Sequence, residues 1–229
     1  MTTVGMILFP QVTQLDVTGP FEVLARLPDT RIYLTGASLD PVVSQYGLAI
    51  LPDTPFGQAP LFDVLCVPGG DGINDRLDDA EFLAFLRKQG EQARFVTAVC
   101  TGGLLVGAAG LLRGYRATTH WLSLDLLPLL GAEPVAERVV IDRNRITAAG
   151  VTAGIDLGLT VAALMHGEEV AKEIQLMMEY DPAPPFRAGS PRTADAATVA
   201  RIKASRQRIQ DERRRKIEQV SPSSAARGA

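Results

Sequence analysis

Short, continuous apolar runs separated by longer helix-like stretches constrain this chain more than any other feature. Residues 4–9, 63–67 and 95–99 are apolar almost throughout, with no polar residue at every second position. Strands of that kind are buried on both faces, as in a parallel sheet covered by helices. Residues 31–35 read as a further strand, and 139–141 with 145–148 flank Asp142-Arg-Asn144 as a hairpin. Residues 42–51, with Gly47, read as a hairpin or a crossing segment. Between the runs, helices are expected over 15–27, 79–92, 102–112, 120–130, 153–165 and 168–180. Pro20 lies near the start of the first, and Phe82, Phe85 and Leu86 share one side of the second. This βαβ rhythm predicts an α/β fold: a mostly parallel sheet sandwiched by helices, flavodoxin-like in kind. At 229 residues the chain holds one sizeable domain, or a domain with an appendage.

Residues 181–186, Asp-Pro-Ala-Pro-Pro-Phe, cannot be helical and are expected to be extended. Residues 193–220, rich in Ala, Arg, Glu and Gln, predict one long surface helix, and the small polar tail 221–229 is expected to fray. The division that follows is an α/β domain over 1–190 and a C-terminal helical extension over 191–229. The extension carries Arg213-Arg-Arg-Lys216, which Asp211, Glu212 and Glu218 flank as an ordinary solvated face. Val199, Ile202, Ile209 and Ile217 make a thin apolar stripe that needs another surface, for which a second subunit is the natural candidate.

The net charge of −3 gives no general attraction for nucleic acid or anionic membrane. The start of the chain lacks a basic segment and a cleavage site, and no apolar run approaches the roughly 20 residues of a membrane span. Two cysteines, Cys66 and Cys100, are too few for a disulfide framework. A reducing cytoplasm, with free thiols, is the expectation.

Cys100 stands where the β-rich run Phe95-Val-Thr-Ala-Val99 stops and a small-residue helix begins. Ala98 and Gly102 flank it at the spacing of a nucleophile elbow, in which small neighbours permit a sharp turn. A thiol there meets the positive end of a helix dipole, which is expected to lower its pKa. The N–H groups of Thr101 and Gly102 are candidates for stabilising developing negative charge. A second glycine-rich turn, Val67-Pro68-Gly69-Gly70, follows the neighbouring strand and can aim an N–H at the same atom. Cys66 lies inside an apolar strand and reads as structural.

A cysteine needs a proton partner, and the residue after Cys100 is Thr101, not His. The candidate partner is Asp16, at the mouth of the first helix. His120 lies before an aromatic residue near a helix start and is taken as pocket-lining; His166 is assigned no role. Two separated histidines give no metal-ligand spacing.

These pieces resemble the ThiJ/PfpI superfamily, which has the class I glutamine amidotransferase-like fold. They are Leu15-Asp16-x-x-Gly19-Pro20-x-Glu22-Val23, Val67-Pro68-Gly69-Gly70, Ala98-Val99-Cys100-Thr101-Gly102, Ala117-Thr-Thr-His120-Trp121 and Tyr180-Asp181-Pro182-x-Pro184-Pro185-Phe186. Asp16, Thr101 and the C-terminal extension are similar to the pattern of bacterial isocyanide hydratases within it. The resemblance implies hydration of an isocyanide to an N-substituted formamide, without a cofactor, by a homodimer. It also implies that Cys100 is the nucleophile, Asp16 the acid/base group and Thr101 a helper hydroxyl. Three rivals stay open: a relative acting on reactive carbonyls, a cysteine redox sensor, and a ligand-binding module like that of AraC-type regulators.

Overall fold

A computed structural model describes residues 1–220; the tail at 221–229, expected to fray, lies outside them. Strand β1 (Thr2–Ile7) leads to helix α1 (Gln14–Leu24), and β2 (Thr30–Gly36) follows. Segment 42–51 is the hairpin, formed by β3 (Val42–Val43) and β4 (Ala49–Ile50), with Gly47 left-handed at φ 91°. Then come β5 (Thr54–Pro55), β6 (Val64–Val67), α2 (Ile73–Arg76) and α3 (Ala80–Gln92). The Asp79 carboxylate accepts from Phe82 N at 3.0 Å and caps α3. Strand β7 (Phe95–Val99) leads into α4 (Gly102–Ala108), and β8 (Arg116–Ala117) and β9 (Glu133–Pro134) pair with each other. Hairpin β10 (Val139–Asp142) and β11 (Arg145–Ala148) turns at Arg143, whose φ is 54°. Helices α5 (Ala153–His166), α6 (Glu168–Met177) and α7 (Ala196–Val220) close the described chain.

The main sheet has seven strands in the order β10-β11-β7-β6-β1-β2-β5, and every pairing but β10–β11 is parallel. The apolar runs are its centre: β6 is buried at every residue, and β1 and β7 over their last four. Helices α1 and α5 pack on each other and on the sheet, and α4 lies on β6 and β7 with α3 beside it. Gly19 and Gly154 let the first pair approach closely; a Cβ on Gly154 would meet Pro20 Cδ at 3.0 Å.

Three expected elements differ in detail. The 120–130 helix is 3-10 (Trp121–Leu130), with His120 at its cap and Gly131 left-handed at its end. Helix α4 stops at Ala108 rather than 112, before left-handed Gly110. Pro20 is the seventh residue of α1, not part of its opening, so the bond its N–H would have made to the Asp16 carbonyl is missing.

The extension also differs. Ile217 is fully buried within this single chain, and α7 packs on the 3-10 segment and on α2. A second subunit is therefore not required to cover that part of the stripe. Nor is the basic run uniformly solvated: Arg213 is 2% exposed, while Arg214 pairs with Asp125 and Lys216 with Asp78.

Candidate active site

Strands β1, β6 and β7 are sheet neighbours and end on the same side, so the loops after them converge. Hydrogen bonds stitch those loops together. Thr13 N donates to Gly69 O at 2.9 Å, Gly72 N to Gln11 O at 3.2 Å, and Gly70 N to Thr101 Oγ1 at 3.1 Å. Cys100 sits in the turn after β7 with φ 54°, a left-handed conformation that non-glycine residues adopt at a cost of about 1–3 kcal/mol. The turn is pinned from both sides. Cys100 N donates to Ala148 O at 3.0 Å, and its carbonyl accepts from Thr119 Oγ1 at 2.7 Å and His120 N at 3.3 Å.

The turn keeps its tight shape because no side chain intrudes. A Cβ on Gly102 would lie 2.2 Å from Val67 O, and one on Gly69 would lie 2.5 Å from Thr101 Oγ1 and 3.0 Å from Asp16 Oδ2. Gly69 is the point where the three loops touch. Its N–H donates to Asp16 Oδ2 at 2.9 Å. Asp16 is 2% exposed, and its Oδ1 is buried with no hydrogen-bond partner. Burial pushes the Asp16 carboxyl up to about 7, against the lowering pull of the Gly69 N–H and the Cys100 thiol.

The thiol departs from expectation. Burial first, and the charge of Asp16 second, push Cys100 well above the ordinary thiol range; the Thr101 N–H and Arg213 pull the other way and lose. The dipole of a seven-residue helix does not outweigh the loss of water around sulfur. Cys100 and Asp16 therefore titrate as a coupled pair, the carboxyl near 7 and the thiol well above the ordinary range.

A cavity of about 280 Å³ opens beside the pair. Cys100, Thr101, Gly70 and His120 line it; Gly69 and Gly102 lie beneath it, as structural parts of the turns. Asp16 is not among the residues that line the cavity; Cys100, in contact with it, is. His120 both caps the 3-10 segment, its Nδ1 facing Leu122 N at 3.4 Å, and faces the cavity. Burial, with the cations Arg213 and Arg206, pushes its imidazole down to about 4, so it is neutral at physiological pH.

Sequence reasoning missed the far wall. Ile202, Arg206, Gln210 and Arg213 from α7 line the cavity, with Tyr46 on the hairpin, Leu122 and Val151. The signal was present: 202, 206, 209, 213 and 217 share one helical face, and two arginines interrupt the apolar stripe there. Cys66 is remote in character: it is buried inside β6, and burial raises its thiol to about 12. Among the described residues no cluster of three or more His, Cys, Asp or Glu is disposed to hold a metal ion.

The chain is 55% identical over 196 residues to the isonitrile hydratase of Pseudomonas putida, covering 86% of each chain. It is 38% identical over 137 residues to the HTH-type transcriptional regulator GbdR of Pseudomonas aeruginosa, covering 59% of this chain but 37% of the regulator. The crystal structure of a ThiJ/PfpI family protein from Pseudomonas syringae superposes with a TM-score of 0.92 at 44% identity, covering 94% of this chain and 90% of that one. The DJ-1/PfpI family profile matches residues 2–164, a stretch that holds Asp16, both glycine-rich turns and Cys100; this chain belongs to the DJ-1/PfpI family.

Proposed function

We propose that this protein is an isocyanide hydratase, a hydro-lyase that converts R–N≡C and water into R–NH–CHO. The observation that carries the reading is the pairing of a buried nucleophile, Cys100, with a carboxyl held near neutrality, Asp16. The identity with the isonitrile hydratase of Pseudomonas putida supports it along most of both chains.

The chemistry uses the single proton of the pair. With that proton on Asp16, Cys100 Sγ is a thiolate and forms a bond to the isocyanide carbon. Asp16 delivers its proton to the same carbon, which gives the thioimidate R–N=CH–S–Cys100. Water then adds to that carbon, with Asp16 taking one proton and the nitrogen gaining one. The resulting Cys100–S–CH(O⁻)–NHR collapses: the C–S bond breaks to release R–NH–CHO, which returns Cys100 to the thiolate with the single proton again on Asp16. Thr101 keeps the two turns in register through its hydroxyl bond to Gly70 and presents its N–H to the sulfur. No step needs a cofactor. Leu122, Val151 and Ile202 supply an apolar part of an otherwise polar cavity lining, and that part suits the R group of a neutral substrate.

The rival readings have less support. Redox-sensing cysteines are exposed and low in pKa, whereas Cys100 is 6% exposed and raised. The likeness to the transcriptional regulator covers little more than a third of that protein. We also propose a homodimer: Leu164, Leu176 and Met177 leave an apolar surface exposed on α5 and α6. Light scattering at twice the chain mass is the expected result. No described helix is long and apolar enough to cross a membrane, and a cytoplasmic location accords with the two free thiols.

The test is direct. Purified protein incubated with cyclohexyl isocyanide should release N-cyclohexylformamide, followed by chromatography. No product, with Cys100 still titratable as a free thiol, would sink the reading.

A further inference from the structure

Arg213 heads the fully buried side chains by size among the described residues, and it is charged. Neutral groups hold it: Nε donates to Asn74 Oδ1 at 3.0 Å, and Nη1 to Ser123 Oγ at 3.0 Å and Gln210 Oε1 at 3.5 Å. Among the described residues no carboxylate forms an ion pair with it, whereas its neighbour Arg206 is paired with Asp71. A buried guanidinium without a counter-charge is costly, and neutral partners fix its position without cancelling its field. Asn at 74 and Ser at 123 leave that field intact where an acidic residue would quench it.

The charges around the cavity can be assigned one by one. Asp71 is ion-paired with Arg206 and its charge also favours that of Arg213, His120 is neutral, and Glu212, beside Arg213 on its own helix, favours it too. What remains is the single negative charge shared by Asp16 and Cys100. Arg213 and Cys100 line the same cavity, and each charge favours the other. The pair has two arrangements: thiol with carboxylate, or thiolate with carboxylic acid. They differ only in where the negative charge lies: Cys100 lines the cavity with Arg213 and feels its charge, and Asp16 does not line it.

We propose that Arg213 is a positioning residue for the reacting pair: its fixed charge draws the negative charge onto Cys100 Sγ and so leaves the shared proton on Asp16, ready for delivery. Helix α7 thereby arms the nucleophile as well as walling the cavity. The inference rests on Cys100 and Asp16 being the reacting pair but not on what they react with, so its test reads thiol chemistry apart from turnover.

The test follows alkylation of Cys100 by iodoacetamide against pH in the full chain, with Cys100→Ala as the blank. Arg213→Gln keeps polar contacts with Asn74 and Ser123 but loses the charge. Asn74→Asp keeps Arg213 and quenches it with a carboxylate. Arg213→Lys keeps a charge and loses the fork. In Arg213→Gln and Asn74→Asp, alkylation at pH 7 should slow about tenfold and its midpoint should rise by about one pH unit, the low end of what an opposite charge exerts. Arg213→Lys should stay near wild type. An unchanged alkylation profile in whichever of the two charge-removing variants folds would overturn the proposal. So would an Arg213→Lys profile as displaced as that of Arg213→Gln, since the fork alone would then matter.

Discussion

Cys66 and Cys100 lie one strand apart in the same sheet, and burial does not tell them apart: they are 3% and 6% exposed. Their backbones do. Cys66 sits mid-strand, opposite Met6 on one side and Thr97 on the other, in regular parallel register. Cys100 sits one residue past the end of its strand, with φ 54° and a carboxyl for a neighbour. Both thiols are raised by burial, but only one has a group nearby that can take its proton. In the proposed reaction, the reactivity of Cys100 comes from a partner and a turn rather than from a depressed pKa.

That contrast can be broken most sharply at the sulfur itself. Cys100→Ala should abolish hydration, leaving no formamide above the uncatalysed background. Asp16→Asn should lower kcat by about 10²–10⁴-fold, the usual weight of a proton-transfer group. The same substitution should stabilise the fold at alkaline pH. A carboxyl raised from 3.8 to about 7 holds its proton more tightly when folded, so its cost is absent below pH 3.8, grows through that window and is complete above about 7. Urea titrations should therefore show the Asp16→Asn variant ahead of wild type by up to about 4 kcal/mol at pH 8 and level with it near pH 4.

Gly69→Ala tests the contact between turns. The added Cβ would press on Thr101 and Asp16, and a displacement of the pair should cost about 10²-fold in kcat/KM. The pH profile of kcat/KM should have an acid limb near 7, where the pair takes up a second proton and the thiolate is lost. Activity there should fall about tenfold per pH unit. Its alkaline limb should lie well above the ordinary thiol range. The smallest effect belongs to Cys66→Ala: turnover near wild type, and a loss of roughly 1 kcal/mol from the space the sulfur leaves, read by thermal melting.

The sheet was legible because its central strands are buried on both faces, and nothing but a continuous apolar run satisfies that. The Cys100 turn was legible from Ala98 and Gly102, which record in sequence the room a sharp turn requires. The state of its proton was not, because desolvation depends on what closes over the sulfur from far along the chain. Arg213 was misread for the same reason. In sequence it heads a basic run that looks solvated, and only the docking of α7 against Asn74 and Ser123 shows that one arginine of the run faces inward. The 3-10 segment was expected as an ordinary helix, since 3-10 and α turns draw on the same apolar residues.

The α7 wall has a consequence for how the molecule can diversify. The residues matched to the DJ-1/PfpI family end at 164, whereas Ile202, Arg206, Gln210 and Arg213 lie beyond that boundary. One wall of the cavity is thus encoded apart from Cys100 and Asp16, which share the matched stretch with the rest of the lining. A different helix fused after the same sheet would inherit the cysteine turn intact and meet a different set of molecules.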